Sequence, residues 1–218
     1  MARIVITGAN RGIGFELAKQ RADHHQVIAL TRKPSPELEA VGVRVIEGVD
    51  VTDQAAVDAA AGQLDAIDIL INNAGLLRRT SLSDLDWGAI EAQMEVNAFG
   101  PLRVSAALAP KINDGGKIAI ITSRMGSIDD NTSGGSYGYR MSKCAVNMVG
   151  KSLSRDLADR EISVAILHPG WVKTDMTGGN GQVTPQEAAD MLWTRIDDDL
   201  TPETTGTFWH ANGDVLPW

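Results

Sequence analysis

Two tyrosines stand close together in Ser136-Tyr137-Gly138-Tyr139-Arg140-Met141-Ser142-Lys143, and only Tyr139 has a lysine four residues on. An i, i+4 pair shares one helix face. Tyr137 has Met141 at that offset and, two residues back, points to roughly the opposite face. An ammonium beside a phenol favours the phenolate, lowering a pKa of about 10 toward the range where the group exchanges protons at neutral pH. Tyr139 and Lys143 therefore form the candidate acid/base pair. A second grouping lies near the start, where Thr7-Gly8-Ala9-Asn10-Arg11-Gly12-Ile13-Gly14 follows a β-branched run and opens a helical stretch over residues 15–22. Glycines so spaced permit a tight turn, let backbone approach a pyrophosphate and let helix pack close to sheet. The helix N-terminus adds free N–H groups and positive dipole.

The elements that would hold these groups follow from the apolar pattern. Short β-branched runs recur at Arg3–Thr7, Val27–Thr31, Val43–Glu47, Ile67–Asn72, Lys117–Thr122, Ser163–His168 and Gly206–Trp209. Most are apolar on both faces, as parallel strands covered by helices on both sides should be. The stretches between them read as helices, clearest at Asp53–Leu64, Asp86–Lys111, Ser136–Arg160 and Pro185–Asp199. Such alternation predicts an α/β fold, a single doubly wound Rossmann domain over residues 1–218 with about seven parallel strands and helices on both faces. Thr184-Pro185-Gln186-Glu187 predicts a capping box at the start of the last helix. Asp197-Asp198-Asp199 lies where the dipole disfavours anions, so that end is expected to fray.

The glycine loop resembles the Thr-Gly-x-x-x-Gly-x-Gly fingerprint of the short-chain dehydrogenase/reductase family, and independent segments agree with it in order. Asp50-Val51 follows the third strand, where the family holds an adenine ring; Asn72-Asn73-Ala74-Gly75 ends the fourth; Pro169-Gly170-Trp171-Val172-Lys173-Thr174 ends the sixth. The resemblance implies that Gly8, Asn10, Arg11, Gly12, Ile13, Gly14, Thr31, Arg32, Asp50, Val51, Asn73, Ala74, Gly75, Pro169, Gly170, Val172 and Thr174 line a dinucleotide site, joined by Tyr139 and by Lys143 on the nicotinamide ribose. It implies a catalytic tetrad of Asn97, Ser123, Tyr139 and Lys143, with Ser123 bonding a substrate carbonyl at the strand edge where such sheets bind ligands. Thr122 and Ser127 are its competitors, since the Gly/Ser-rich stretch from Ser123 to Tyr139 is longer than in most relatives. Pro101 stands four residues after Asn97 and has no N–H, so the Asn97 carbonyl loses its helical partner and the helix should kink.

The implied reaction is hydride transfer between nicotinamide and a carbonyl or secondary alcohol, with reduction of ketones, aldehydes or quinones favoured. NADP(H) is expected ahead of NAD(H): the second strand ends Leu30-Thr31-Arg32-Lys33 with no carboxylate before Glu37, and Arg11 and Arg32 flank the place of a 2′-phosphate. Residues 175–184 form a short glycine-rich lid, suited to a permissive site. The ending Phe208–Trp218 resembles the C-factor and sniffer-type carbonyl reductase branch. The family packs two long helices into a homodimer or homotetramer.

A net charge of −8, from 20 Lys+Arg against 28 Asp+Glu, repels a phosphate backbone and excludes nucleic acid as partner. The single Cys144 and four scattered His leave no structural metal site, and Cys144 reads as a small buried hydrophobe. No apolar run approaches membrane length, and the first strand starts at once, which points to a cytoplasmic protein. His168 reads as structural, Trp87 as helix packing, and Trp171 and Trp193 as lining for the substrate cleft. A dinucleotide-sensing or signalling protein without turnover is the rival reading; a sugar-nucleotide epimerase would need a longer substrate domain after Thr174.

Overall fold

The computed structural model describes all 218 residues. Seven strands, β1 (Arg3–Thr7), β2 (Gln26–Leu30), β3 (Arg44–Ile46), β4 (Ile67–Asn72), β5 (Ile112–Ile121), β6 (Ser163–His168) and β7 (Thr207–His210), form one sheet in the order β3-β2-β1-β4-β5-β6-β7. Every pairing is parallel. The chain winds outward from β1 to β3, then returns to β4 on the other side of β1. That reversal opens a crevice at the carboxyl ends of β1 and β4, where doubly wound sheets take ligands.

Alternate strand residues explain why both faces must be covered. Ile4, Ile6, Ala119 and Leu167 face a core built with Leu17, Leu38 and Leu192, while Val5, Ile118, Ile120 and Val164 face another built with Val57, Val104 and Val146. Helices α1 (Gly12–Lys19), α2 (Pro36–Ala40) and a C-terminal helix (Pro185–Thr194) cover the first face; α3 (Gln54–Gly62), the helices of residues 87–108 and a long helix (Tyr137–Asp156) cover the second. Each core holds 20 buried residues, so neither face is left for solvent. No helix is long and apolar enough to cross a membrane.

The stretch expected as one helix over residues 86–111 is broken into α4 (Trp87–Met94), a π-helical turn over Glu95–Phe99 and α5 (Gly100–Leu108). Pro101 cannot donate to Asn97, and the Gly100 N–H reaches back to the Glu95 carbonyl five residues earlier. The expected kink thus takes the form of a widened turn, which suits a missing donor better than a clash would. Helix α6 (Tyr137–Asp156) and helix α7 (Pro185–Thr194) follow. The capping box forms as expected, with the Thr184 N–H on Glu187 Oε2 at 2.7 Å and the Glu187 N–H on Thr184 Oγ1 at 3.2 Å. The acidic end of α7 does not fray. It winds into a π-helical turn because Lys117 Nζ caps the Ile196 carbonyl at 2.6 Å, Arg195 pairs with Asp199 at 2.7 Å, and Arg21 pairs with Asp197.

At the crevice, β1 and β4 are tied by two side chains. Thr7 Oγ1 accepts the N–H groups of Asn73 (3.0 Å) and Ala74 (3.1 Å), and Asn73 Nδ2 donates to the carbonyls of Thr7 (3.0 Å) and Gly8 (3.1 Å). A Cβ on Gly14 would lie 2.4 Å from Asn73 Nδ2 and 2.5 Å from the Gly8 carbonyl oxygen. Gly14→Ala should therefore displace the tie and lower unfolding free energy by about 1–3 kcal/mol, the ordinary cost of overpacking. Urea denaturation followed by circular dichroism checks this; an unchanged midpoint and slope would show that the junction has slack.

Candidate active site

The glycine loop crosses the crevice mouth. Gly8 (φ 65°) and Gly12 (φ 57°) adopt the left-handed conformation, and a Cβ on Gly8 would stand 2.9 Å from the Ala74 Cα. Helix α1 starts at Gly12 with no side-chain cap. Its first N–H groups therefore remain available to an anion. At the end of β2, Thr31 is buried and its Oγ1 has no partner. Arg32 beside it is exposed, 3.9 Å from Asp50 Oδ2. Asp50 Oδ1 accepts from Thr52 N–H (2.9 Å) and Oγ1 (2.8 Å). Burial raises the Asp50 carboxyl, but those two bonds and Arg32 outweigh it and hold the group below its ordinary value.

Arg11 projects from the loop to Asp175 at 3.0 Å, joining the cradle to the segment after β6. In that segment Gly170 is left-handed (φ 91°), Val172 is buried and bridges Val183, and Thr177 Oγ1 donates to the Val172 carbonyl at 2.8 Å. Asp175–Thr177 form a single 3₁₀ turn. The Asn73 Nδ2 and backbone N–H are spent on the β1–β4 tie, so toward a ligand this residue offers acceptors, its carbonyl and Oδ1. Asn10, Ala74, Gly75, Pro169 and Thr174 lie on the loops that follow β1, β4 and β6, and Ile13 in the first turn of α1, all at the carboxyl end of the sheet.

The catalytic candidates meet at the carboxyl ends of β4 and β5. Ser123 caps a short turn, Arg124–Gly126, its Oγ accepting the Met125 N–H at 3.1 Å. Its side chain lies close enough to the Tyr139 phenol to work against the rise that burial imposes on it. Neither Thr122, bonded to Asn147 at 2.7 Å, nor Ser127, bonded to the Trp218 carbonyl at 3.0 Å, competes for that place. Lys143, buried one turn along α6, donates from Nζ to the Ile121 carbonyl at 3.0 Å. Asn97 clamps Leu76: its Oδ1 accepts the Leu76 N–H and its Nδ2 donates to the Leu76 carbonyl, both at 2.7 Å. The same Nδ2 reaches Ser142 Oγ at 3.0 Å, and Ser142 donates to the Tyr139 carbonyl at 2.9 Å.

The expected lowering of the phenol is reversed. Burial pushes Tyr139 up to about 12, against which the Ser123 side chain works. Lys143, whose ammonium is turned toward Ile121 and lies 5.7 Å from the Tyr139 ring centre, is itself pushed down to about 8 by burial. Sharing a helix face brought the two groups near each other as the spacing requires, but burial sets the direction of both shifts. His168 fits its structural reading: burial, then the cations around it, push it down to about 3, so it stays neutral.

Two aromatic expectations fail. Trp193 is buried under α7 with the Arg21 guanidinium 4.4 Å from its ring centre, away from the cleft, and Trp87 is 66% exposed rather than packed. Trp171 is exposed on the loop after β6, and Cys144 is half-buried. Leu76, Ser142, Asp50 as the partner of Arg32, and Asp175 as the partner of Arg11 have no local signature. Each is bound to the site from a distant part of the chain, or through backbone alone.

Comparison with known proteins agrees with this geometry. The short chain dehydrogenase profile matches residues 2–184. The chain is 42% identical over 227 residues to 1-hydroxy-2-glutathionyl-2-methyl-3-butene dehydrogenase of Rhodococcus sp. (strain AD45), covering 100% of each. It is 43% identical over 156 residues to the C-signal protein of Myxococcus xanthus, covering 70% of this chain and 93% of that one. Among solved structures it superposes on carbonyl reductase Sniffer of D. melanogaster (TM-score 0.91, 26% identity, 100% of both chains). It superposes equally on an NADPH-bound carbonyl reductase from chicken fatty liver (TM-score 0.91, 28% identity, 100% of this chain and 99% of that one). A parallel sheet reversing at β1, a glycine cradle on that reversal and a Tyr–Lys pair beside a serine at its edge, with a matching profile across most of its length, place the chain in the short-chain dehydrogenase family.

Proposed function

We propose that the protein is an NADP(H)-dependent oxidoreductase that interconverts a carbonyl compound and its alcohol, with Tyr139 as acid/base. The observation that carries this reading is the meeting of buried Ser123, Tyr139 and Lys143, the ammonium 5.7 Å from the Tyr139 ring centre, at the sheet edge beside the glycine cradle. The dinucleotide, when bound, supplies or accepts the hydride. The protein's own groups manage the proton: Ser123 donates a hydrogen bond to the substrate oxygen, Tyr139 passes its proton to that oxygen on reduction, and the Lys143 ammonium stabilises the phenolate left behind. Asn97 holds the loop after β4 against α6, so the two sides of the cleft keep their spacing.

The cradle fits a 2′-phosphorylated dinucleotide. Uncapped N–H groups of α1 face the pyrophosphate position, an unpartnered Thr31 hydroxyl lies at the ribose end, and Arg32 and Arg11 offer cations there. Both arginines already hold a carboxylate loosely at the surface, which a more highly charged phosphate can displace. The NADPH in the chicken enzyme supports the same choice. Ketones, aldehydes and quinones suit the short segment 175–184, proposed as a permissive lid. Exposed Phe99, Leu102, Met141 and Met148 on the two long helices support pairing of two copies there. Light scattering would test it: a monomeric mass at micromolar concentration removes the pairing.

NADPH oxidation against a panel of carbonyl compounds tests the reaction. Tyr139→Phe should lose roughly 10²–10⁴-fold in kcat with cofactor affinity kept, and Tyr137→Phe much less; equal losses would mean that the wrong tyrosine is assigned. With NADPH limiting, the rate reports the free enzyme. The phenol at about 12 stays protonated through the accessible range, so the limiting group is Lys143 at about 8: reductive kcat/KM should be level below that pH and decline above it as one proton is lost. A level profile to about pH 10 would contradict that role. Arg32→Ala should cost about 10- to 150-fold in kcat/KM for NADPH, the worth of one charge-assisted bond, and far less for NADH. Equal losses with both cofactors would remove the phosphate assignment.

A further inference from the structure

After β7 the chain folds back on its own strand. The Leu216 N–H donates to the Phe208 carbonyl at 2.8 Å, and the Trp218 ring stacks on buried Phe208 with centres 5.5 Å apart and planes at 27°. Lys151 Nζ lies 5.9 Å from the centre of the Trp218 ring. Anchored in this way, the Trp218 carbonyl oxygen meets the loop that follows Ser123. It accepts the N–H groups of Ile128 (2.8 Å) and Asp129 (2.9 Å) and the Ser127 hydroxyl (3.0 Å). Three consecutive residues thus converge on one oxygen.

The consequence for Ser123 follows from the turn that carries it. Ser123 Oγ is oriented by the Met125 N–H within the turn Arg124–Gly126, whose near end is fixed to β5. Its far end is Ser127, which also accepts the Asp130 N–H at 3.0 Å; Asp130 in turn pairs with Arg124. Beyond it the Gly/Ser-rich stretch to Ser136 has no regular structure. Helix α6 holds the middle of the turn, Asn147 donating to the Gly126 carbonyl at 3.4 Å and Arg140 to the Met125 carbonyl at 3.5 Å, and Trp218 holds its far end at Ser127. We propose that Trp218 is a positioning residue, holding the far end of the Ser123 turn so that the Ser123 hydroxyl keeps its place at the edge of the cleft beside Tyr139. The proposal rests on the acid/base reading of Tyr139.

Placement errors of about 1 Å cost on the order of 10²-fold in rate, whereas the dinucleotide cradle lies on other loops. Trp218→Ala should therefore lower kcat about 10- to 100-fold while the KM for NADPH moves less than about twofold. Trp218→Phe, which keeps a stacking ring, should recover most of the loss. Hydrogen exchange should rise in a peptide covering residues 123–130 of the Ala variant and not in Tyr139→Phe. Ser127→Ala, which removes one donor and leaves Phe208 covered, supplies the same comparison should Trp218→Ala fold poorly. Unchanged kcat, or unchanged exchange, or a fall in NADPH affinity that parallels kcat, overturns the proposal. Tyr139→Phe turning over like the wild type would instead overturn the acid/base reading, and this inference with it.

Discussion

The site depends on the tie between β1 and β4. Parallel strands share main-chain bonds only as far as their registers run, and β1 and β4 pair through Ile6 and Ile71. Beyond that point two backbones that must diverge are held by the Thr7 hydroxyl and the Asn73 amide, four bonds in all. Because that joint is made of side chains, the ladder can end and the crevice can open without leaving buried carbonyls and N–H groups unpaired. It also sets how closely α1 can approach the sheet, since Gly14 packs against the same amide. Any ligand on the uncapped end of α1 is thereby placed relative to β4, and through the Leu76 clamp relative to α6.

Burial shapes the chemistry at the other end of that path. A phenol and an ammonium in water would need no help to keep their ordinary pKa values. Inside the cleft both charged forms are disfavoured, so Tyr139 is kept protonated and Lys143 is brought within reach of neutral pH. Reducing a carbonyl requires a donor that is protonated at rest and a cation that compensates it once the proton has gone. Desolvation supplies the first directly. The second is sustained by the Ile121 carbonyl, which accepts from the Lys143 ammonium and offsets part of the cost of burying it. On the proposed acid/base reading, the buried lysine stands where its charge would be needed.

Much of this was legible in the chain. All seven strands, the capping box and the Tyr139–Lys143 pairing follow from patterns a few residues long, where period and spacing act directly. What escaped has a common cause. Pro101 announced a break after Asn97, but that the break widens into a π-helical turn over Glu95–Phe99, with the Gly100 N–H on the Glu95 carbonyl, depends on how the chain repacks around the missing donor. Trp193 could be assigned to the cleft only while the face that α7 presents to the sheet was undetermined. The direction of the Tyr139 shift depends on how much water reaches the phenol, a property of the packed structure and not of the four-residue spacing. The acidic end of α7 looked unsupported because two of its cations, Arg21 and Lys117, come from distant parts of the chain; only Arg195, four residues before Asp199, is local.

The same reasoning bears on the two arginines of the cradle. Read along the chain, Arg11 and Arg32 stand free, with no acid close in sequence. In the fold each faces a carboxylate, Asp175 at 3.0 Å and Asp50 at 3.9 Å. Such pairs at the surface stabilise little, because water screens them and two long side chains must be ordered to form them. Their value is in placement: a guanidinium already drawn toward the crevice loses less freedom on meeting a phosphate than one waving in solvent. The Asp50 carboxylate stays in place during the exchange, being held on its other oxygen by Thr52. Asp175 lies in a short turn that Thr177, bonded to the Val172 carbonyl and the Thr174 N–H, and the Val172–Val183 bridge hold without Arg11, so a phosphate could take Arg11 from it without loosening the segment.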